Sequence, residues 1–181
     1  LIVGNGDVIE NASFSVEDGL FVNVGATAAM TSPAGATRVD LSGMTVMPAL
    51  IDTHVHLSTT RDALIEDLQQ RASQGIVAAQ SLGSDGLDAP LELRDEFIPG
   101  AARYLSAGRG ITSPEPGRSE IAHWVTTTEE ARQAVRDEVA RNVDIIKIWV
   151  DDRDGQYERL SPQTYHQQAA QVAVAGLGDR T

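Results

Sequence analysis

From Pro48 onward the chain alternates short apolar runs with segments of helical period, and this rhythm restricts its fold more than any other feature. Parallel strands need a crossover long enough to carry the chain back to the same sheet edge, so strand-then-helix repetition points to a parallel α/β architecture. Ala49–His56 reads as a mostly apolar strand ending in polar residues. Thr60–Ser73 sets Ala63, Leu64, Leu68 and Ala72 on one helical face, and Gly75 stops it. Gly75–Leu82 is a second buried strand running into the polar loop Gly83-Ser84-Asp85-Gly86, and Ala102–Ala107 is a third. Thr127 and Glu130 make a capping box that opens a helix through Ala140, which delivers Val143–Val150 as a fourth buried strand. Ser161-Pro162 starts one more helix, through about Val174.

Four strand-plus-helix units are half of an eight-fold barrel, which needs ~250 residues. The expected fold is therefore α/β, with residues 48–181 as the first four β/α units, the N-terminal half of a (β/α)8 TIM-type barrel. Residues 1–47 read as a separate small β segment. Asn5-Gly6 turns the chain, Ala12–Val16 and Leu20–Val24 alternate around Glu17-Asp18-Gly19, and Val39–Leu41 and Met44–Met47 are further short strands. A fifth barrel strand is expected only in the tail from Val172, which has no histidine.

Composition removes several functional classes. A formal net charge of -12 argues against nucleic acid, which needs a basic face. The absence of cysteine excludes disulfides, thiolate metal sites and Cys nucleophiles, and fits a reducing cytoplasm. No apolar run approaches the ~18 residues of a membrane span. Leu1 stands where an initiator Met is expected, so the chain is read as starting inside a longer one.

His54-Val55-His56 is the sharpest chemical feature. Residues two apart on a strand face the same side, so both imidazoles can reach one metal ion from the strand's C-terminal end, where barrels build their active sites. The spacing alone also fits two histidines beside a surface loop. Lys147 lies in the apolar run Asp144-Ile-Ile-Lys-Ile-Trp-Val150, where burial would favour the neutral amine, able to add carbon dioxide and become a carbamate ligand. Pairing with Asp151 or Asp152 at the strand end is the alternative. The loop from Gly108 to Trp124 exceeds the length of most connections, and such loops are commonly functional.

Met47-Pro48-Ala49-Leu50-Ile51-Asp52-Thr53-His54-Val55-His56 resembles the signature of the amidohydrolase superfamily, Pro-Gly-Leu-Ile-Asp-x-His-x-His, with Ala49 in place of the usual Gly. Ile146-Lys147-Ile148 resembles the carboxylated-lysine position of binuclear, prolidase-like members, and Trp149–Tyr157 is similar to the imidazolonepropionase and prolidase-like branch. Residues 1–47 resemble the β-sandwich segment that precedes the motif in such enzymes. The resemblance implies one or two divalent metals, Zn first among candidates, held by His54, His56 and Lys147, the last as a carbamate formed with carbon dioxide. It implies metal-activated water attacking the C–N bond of a small amide, lactam or dipeptide. Asp85, Arg109, His123, Asp151 and Arg153 stand at loop positions where such enzymes bind substrate, His123 as a lid residue; His166 has no assigned role.

The resemblance also requires two histidines after strands five and six and an aspartate base after strand eight, and none can be assigned, so the catalytic base is expected outside this chain. Half a barrel leaves sheet edges and an apolar inner face open, which favours a homo-oligomer or association with the missing half. A catalytically inactive half-barrel serving as a structural or assembly module is the competing reading.

Overall fold

The protein is described by a computed structural model covering residues 1–118 and 120–166. It falls into two compact units, Leu1–Ala49 and Leu50–Thr181.

In the first unit, β1 (Ala12–Glu17) and β2 (Leu20–Ala26) form an antiparallel hairpin. Its turn has Asp18 at φ 50° and Gly19 at φ 79°. Two successive left-handed residues produce the twist that a two-residue hairpin loop requires, which is why Asp-Gly serves there. Phe14 and Phe21 meet edge-on at 5.4 Å across the pair. The strands expected at Val39–Leu41 and Met44–Met47 do not form. Met44 N–H bonds back to the Leu41 carbonyl as a turn, and Val46 lends its carbonyl to Ile2 N–H, which leaves no ladder for a strand.

The second unit is mixed α/β. β3 (Leu50–Val55), β4 (Ile76–Ser81) and β5 (Arg103–Ser106) form a parallel sheet in that order. α1 (Arg61–Ser73) crosses from β3 to β4, burying Leu64 and Leu68 against Leu57, Ala79, Leu93, Ala102 and Tyr104. Each leucine so buried contributes about 1.5–3 kcal/mol, and this apolar face decides how the crossover returns. Leu50, Ile51 and Val77 remain exposed on the sheet.

The long loop after β5 contains two short strands that periodicity does not disclose, β6 (Ile111–Thr112) and β7 (His123–Trp124), paired in parallel. α2 (Thr128–Ala140) follows, opened by the expected box: Thr127 Oγ accepts Glu130 N–H while the Glu130 carboxylate accepts Thr127 N–H. Ala131, Ala134 and Val135 pack on Ile111, Val125 and Leu160 as a second core.

The fourth strand expected at Val143–Val150 is reduced to a single parallel bridge, Ile111 with Ile148. The cause is a change of partner. Asp144 N–H bonds to Ser106 at the end of β5, whereas Lys147 and Trp149 bond across Ile111 of β6. Ile146 and Ile148 pack on the second core, while Lys147 and Trp149 line a cavity that Ile148 and Val150 also reach. Lys147 is half-buried there rather than enclosed. The helix from Pro162 is described through His166; its continuation to Val174 and the tail from Val172 lie outside the described residues. Among the described residues no helix is long and apolar enough to cross a membrane.

Candidate metal centre

The C-terminal ends of β3 and β4 open onto a cavity of about 1000 Å³, lined by His54, His56, Gly83, Ser84, Lys147, Trp149, Asp151 and Arg153 together with residues of the loop after β6. His54 in β3 and His56 just past its end reach one wall because they are two residues apart, while Val55 between them packs on the α1 core. The imidazole rings lie 5.9 Å apart, edge to face at 80°.

His56 Nδ1 is 2.9 Å from the hydroxyl of Ser84. Its pKa sits below the ordinary histidine value, first because the ring is partly buried, then because His54 and Lys147 are close; Asp85 opposes this weakly. Neutral imidazole is the form that ligates a metal.

The floor is built by close approach. The indole of Trp149 lies against the backbones of Gly83 and Gly110, and a Cβ at Gly83 would stand 2.9 Å from the ring and 3.0 Å from Lys147 Cγ. Gly83 also needs its φ of 96°, a left-handed value. Beyond the floor, Arg153 and Asp154 have φ of 53° and 59°, uncommon outside glycine. Asp151 holds this turn: its carboxylate accepts Arg153 N–H at 3.1 Å and pairs with the guanidinium at 2.6 Å. The same guanidinium lies 3.5 Å from Glu115, which is fully buried and also paired with Arg118 at 2.9 Å.

His54, His56, Lys147, Asp151 and Arg153 are thus brought to one cavity, and three other expected residues are not. Asp85 has no exposed surface; its carboxylate accepts the hydroxyls of Ser81 at 2.7 Å and Ser106 at 2.5 Å behind the wall. Burial, and then this carboxylate, push the Tyr104 hydroxyl far above its usual pKa. Arg109 donates to the carbonyls of Ile121 and Ala122 and lines a smaller depression of about 330 Å³. His123 lines that depression too, with Nε2 2.8 Å from the buried Glu138. Ser84, Trp149 and Arg118 line the cavity without being candidate site residues in the sequence; the signals for them are the Gly-Ser-Asp-Gly loop that ends β4, the Trp149–Tyr157 run and the long loop from Gly108 to Trp124.

The donor set fits a divalent cation in part. Two imidazoles share a wall, and the Ser84 hydroxyl meets His56 at Nδ1, a contact of the kind that supports metal-ligating histidines. Among the described residues no third His, Asp or Glu joins them to complete a set, and Lys147 is the remaining candidate on the same surface.

No family model matches the chain. Imidazolonepropionase of Mycolicibacterium smegmatis is 44% identical over 133 residues, which is 66% of this chain and 33% of that protein. Enamidase of Eubacterium barkeri is 33% identical over 81 residues, 42% of this chain and 21% of that protein. Among solved structures, one described as a prolidase, from Bifidobacterium longum, superposes with a TM-score of 0.80 at 27% identity, covering 95% of this chain and 44% of that one. The ochratoxinase of A. niger shares the fold at 19% identity and a TM-score of 0.69, over 96% of this chain and 52% of its own. The chain therefore spans a third or less of these curated relatives and about half of the structures it resembles.

Proposed function

We infer, from a chain that belongs to the amidohydrolase superfamily over part of its members' length, that it supplies the His-x-His half of a metal-dependent hydrolase acting on the C–N bond of a small amide, lactam or dipeptide. In this reading the first unit is a portion of the β-sandwich segment, and β3, β4, β5 and the strand-like 144–149 stretch are the first half of a (β/α)8 barrel. The observation that carries it is the placement of His54 and His56 on one wall of the cavity at the C-terminal end of β3.

His54 and His56 would hold a divalent cation, zinc first, with Lys147 as a third ligand once carboxylated by carbon dioxide. The chemistry such a cation supplies when bound is Lewis acidity, which polarises an amide carbonyl and makes water nucleophilic near neutral pH. The chain's own residues prepare the surroundings. His56 resists protonation and keeps a lone pair available. Trp149 forms the floor against the Gly83 and Gly110 backbones. Arg153, held by Asp151 in a left-handed turn, presents a fixed guanidinium to an acyl or carboxylate oxygen. Asp85, Arg109 and His123 act, in this reading, on the substrate side only through the loops they brace. The general base and the remaining ligands come from a second copy of the chain or from the barrel's other half, so association is part of the proposal; exposed Leu50, Ile51 and Val77 mark the face that would be covered.

The test is amine release from a panel of dipeptides, lactams and N-acyl amino acids by the zinc-loaded chain. Release that a chelator stops, and that His54→Asn abolishes, is the expected result. Release indifferent to chelator contradicts the reading. A chain that binds zinc but releases nothing, alone or self-associated, belongs to the inactive-module reading.

A further inference from the structure

Strands β3 and β4 do not keep step. Asp52 is in register with Ala79 and Val55 with Ser81, so β3 advances three residues where β4 advances two. Both ends of this interval face α1. Ala79 belongs to the α1 core and Val55 packs on it, while the Asp52 carboxylate lies 3.6 Å from Arg71 of α1. Side chains alternate along a regular strand, so Asp52 on the α1 side would carry His54 and His56 to that side as well. Both line the cavity instead. The extra residue at Thr53-His54 is a bulge that inverts the alternation, and bulges characteristically re-aim side chains beside active sites. They are rare between parallel strands, so this one needs something to hold it.

We propose that Asp52 is a positioning residue that holds this bulge and thereby keeps His54 and His56 together on the cavity wall. Its two carboxylate oxygens lead to different elements. Oδ1 accepts the His54 N–H at 3.3 Å, inside the bulge, and Oδ2 faces Arg71 Nε on α1. Among the described residues that buried Nε has no hydrogen-bond partner, and the Asp52 charge offsets the cost of its burial. Arg71 is fixed in turn, donating to the Asp67 carbonyl at 3.2 Å. The Asp67 carboxylate accepts Ser58 N–H at 2.8 Å, so the chain is tied to α1 on both sides of the histidines. Between these anchors Val55 and Leu57 enter the α1 core, which leaves His54 and His56 the opposite side. A slip of one residue would exchange the two sets, putting imidazole into the apolar cluster and valine on the wall. The bulge stands on this geometry alone; its consequence for a cation rests on the function proposed above.

The test is NMR on the isotope-labelled, metal-free 181-residue chain, followed by zinc competition against a chromophoric chelator. In the wild type the Val55 methyls should show NOEs to Leu64 or Leu68, and the His54 ring none. Asp52→Ala removes both contacts, and its His54 amide should exchange roughly 2–10-fold faster, the worth of one hydrogen bond. Asp52→Asn keeps an acceptor for that N–H and loses only the charge facing Arg71, so its exchange should stay close to wild type. Zinc affinity should follow the same split, weaker by ~10–100-fold in Asp52→Ala and near wild type in Asp52→Asn. A merely structural role would instead lower the urea midpoint of both variants and leave the affinity of the folded chain unchanged. Asp52→Val, which favours a strand and offers no acceptor, replaces Asp52→Ala if the alanine variant does not fold. NOEs from the His54 ring rather than Val55 to the α1 cluster, or unchanged His54 exchange without the acceptor, overturn the proposal. A wild type that binds no zinc contradicts the metal reading, and the NOE and exchange results still decide the bulge.

Discussion

A methyl group added at Gly110 would stand 2.6 Å from Trp149 Cη2 and 2.9 Å from Cε3, and closer still to Cζ3. Carbon atoms rest at about 3.5–4.0 Å, so roughly 1 Å of separation has to be found. The backbone cannot supply it easily. Gly110 N–H is bonded to Gly83 O and Gly110 O accepts His123 N–H, both at 2.8 Å. The ring cannot retreat toward Gly83, where a Cβ would lie only 2.9 Å away. It must tilt into the cavity and lose its packing. Gly110 is outside the left-handed region, so Gly110→Ala carries this clash without a backbone penalty. Overpacking of this kind costs about 1–3 kcal/mol. Replacing Trp149 with Leu removes the obstacle, and the alanine should then be nearly harmless. Urea unfolding followed by circular dichroism, on wild type, both single variants and the double variant, closes the cycle. The expected coupling is at least ~1 kcal/mol, within the range seen for residues in contact. Equal cost of Gly110→Ala with and without the indole would show that Trp149 does not rest on this backbone, and the description of the cavity floor would fall.

Glu138→Ala should destabilise the chain by about 3–5 kcal/mol in urea unfolding, because the buried carboxylate serves His123, Arg141 and Arg109 N–H at once and its removal strands them; a loss below ~1 kcal/mol would contradict that accounting. Thr127→Ala should cost about 1 kcal/mol through loss of the α2 cap, read from the same curves. The Glu130 carboxyl is held below its usual pKa first by the Thr126 backbone N–H and then by the Thr126 hydroxyl and the Thr127 N–H. Its contribution is therefore complete above the ordinary carboxylate pKa and disappears as pH falls through the depressed one. Glu130→Gln should flatten that acid limb in a circular-dichroism titration, and an unchanged limb would remove the box from the account.

The parts of the fold that were legible in the sequence are those fixed by local chemistry. Thr127 and Glu130 announce α2 because a cap needs particular side chains three residues apart, and Leu64 and Leu68 announce α1 because burial needs one face. Asp18-Gly19 announces the hairpin because its φ values suit few other residues. What stayed hidden depends on distant partners. β6 and β7 are two residues each and depend on partners far along the chain, β6 on both β7 and the 147–149 stretch, and Val143–Val150 loses its ladder because the strand beside it changes from β5 to β6 midway. In the site, periodicity placed His54 and His56 on one side of β3. It could not tell which member of Ser84-Asp85 faces the cavity. Neighbours point oppositely there, and the inward place goes to Asp85 because Ser81 and Ser106 offer it hydroxyls. His123 is likewise drawn from the long loop to Glu138, a partner fifteen residues away on α2.

The central claim is that His54 and His56 bind a metal in this chain. Elemental analysis of the purified protein grown with added zinc and bicarbonate, beside the His54→Ala/His56→Ala double variant, addresses it most directly. The account predicts about one or two ions per chain in the wild type, as expected of a site built on two histidines and a carbamate, and none in the double variant. Equal metal in both proteins, or none in either, would contradict it.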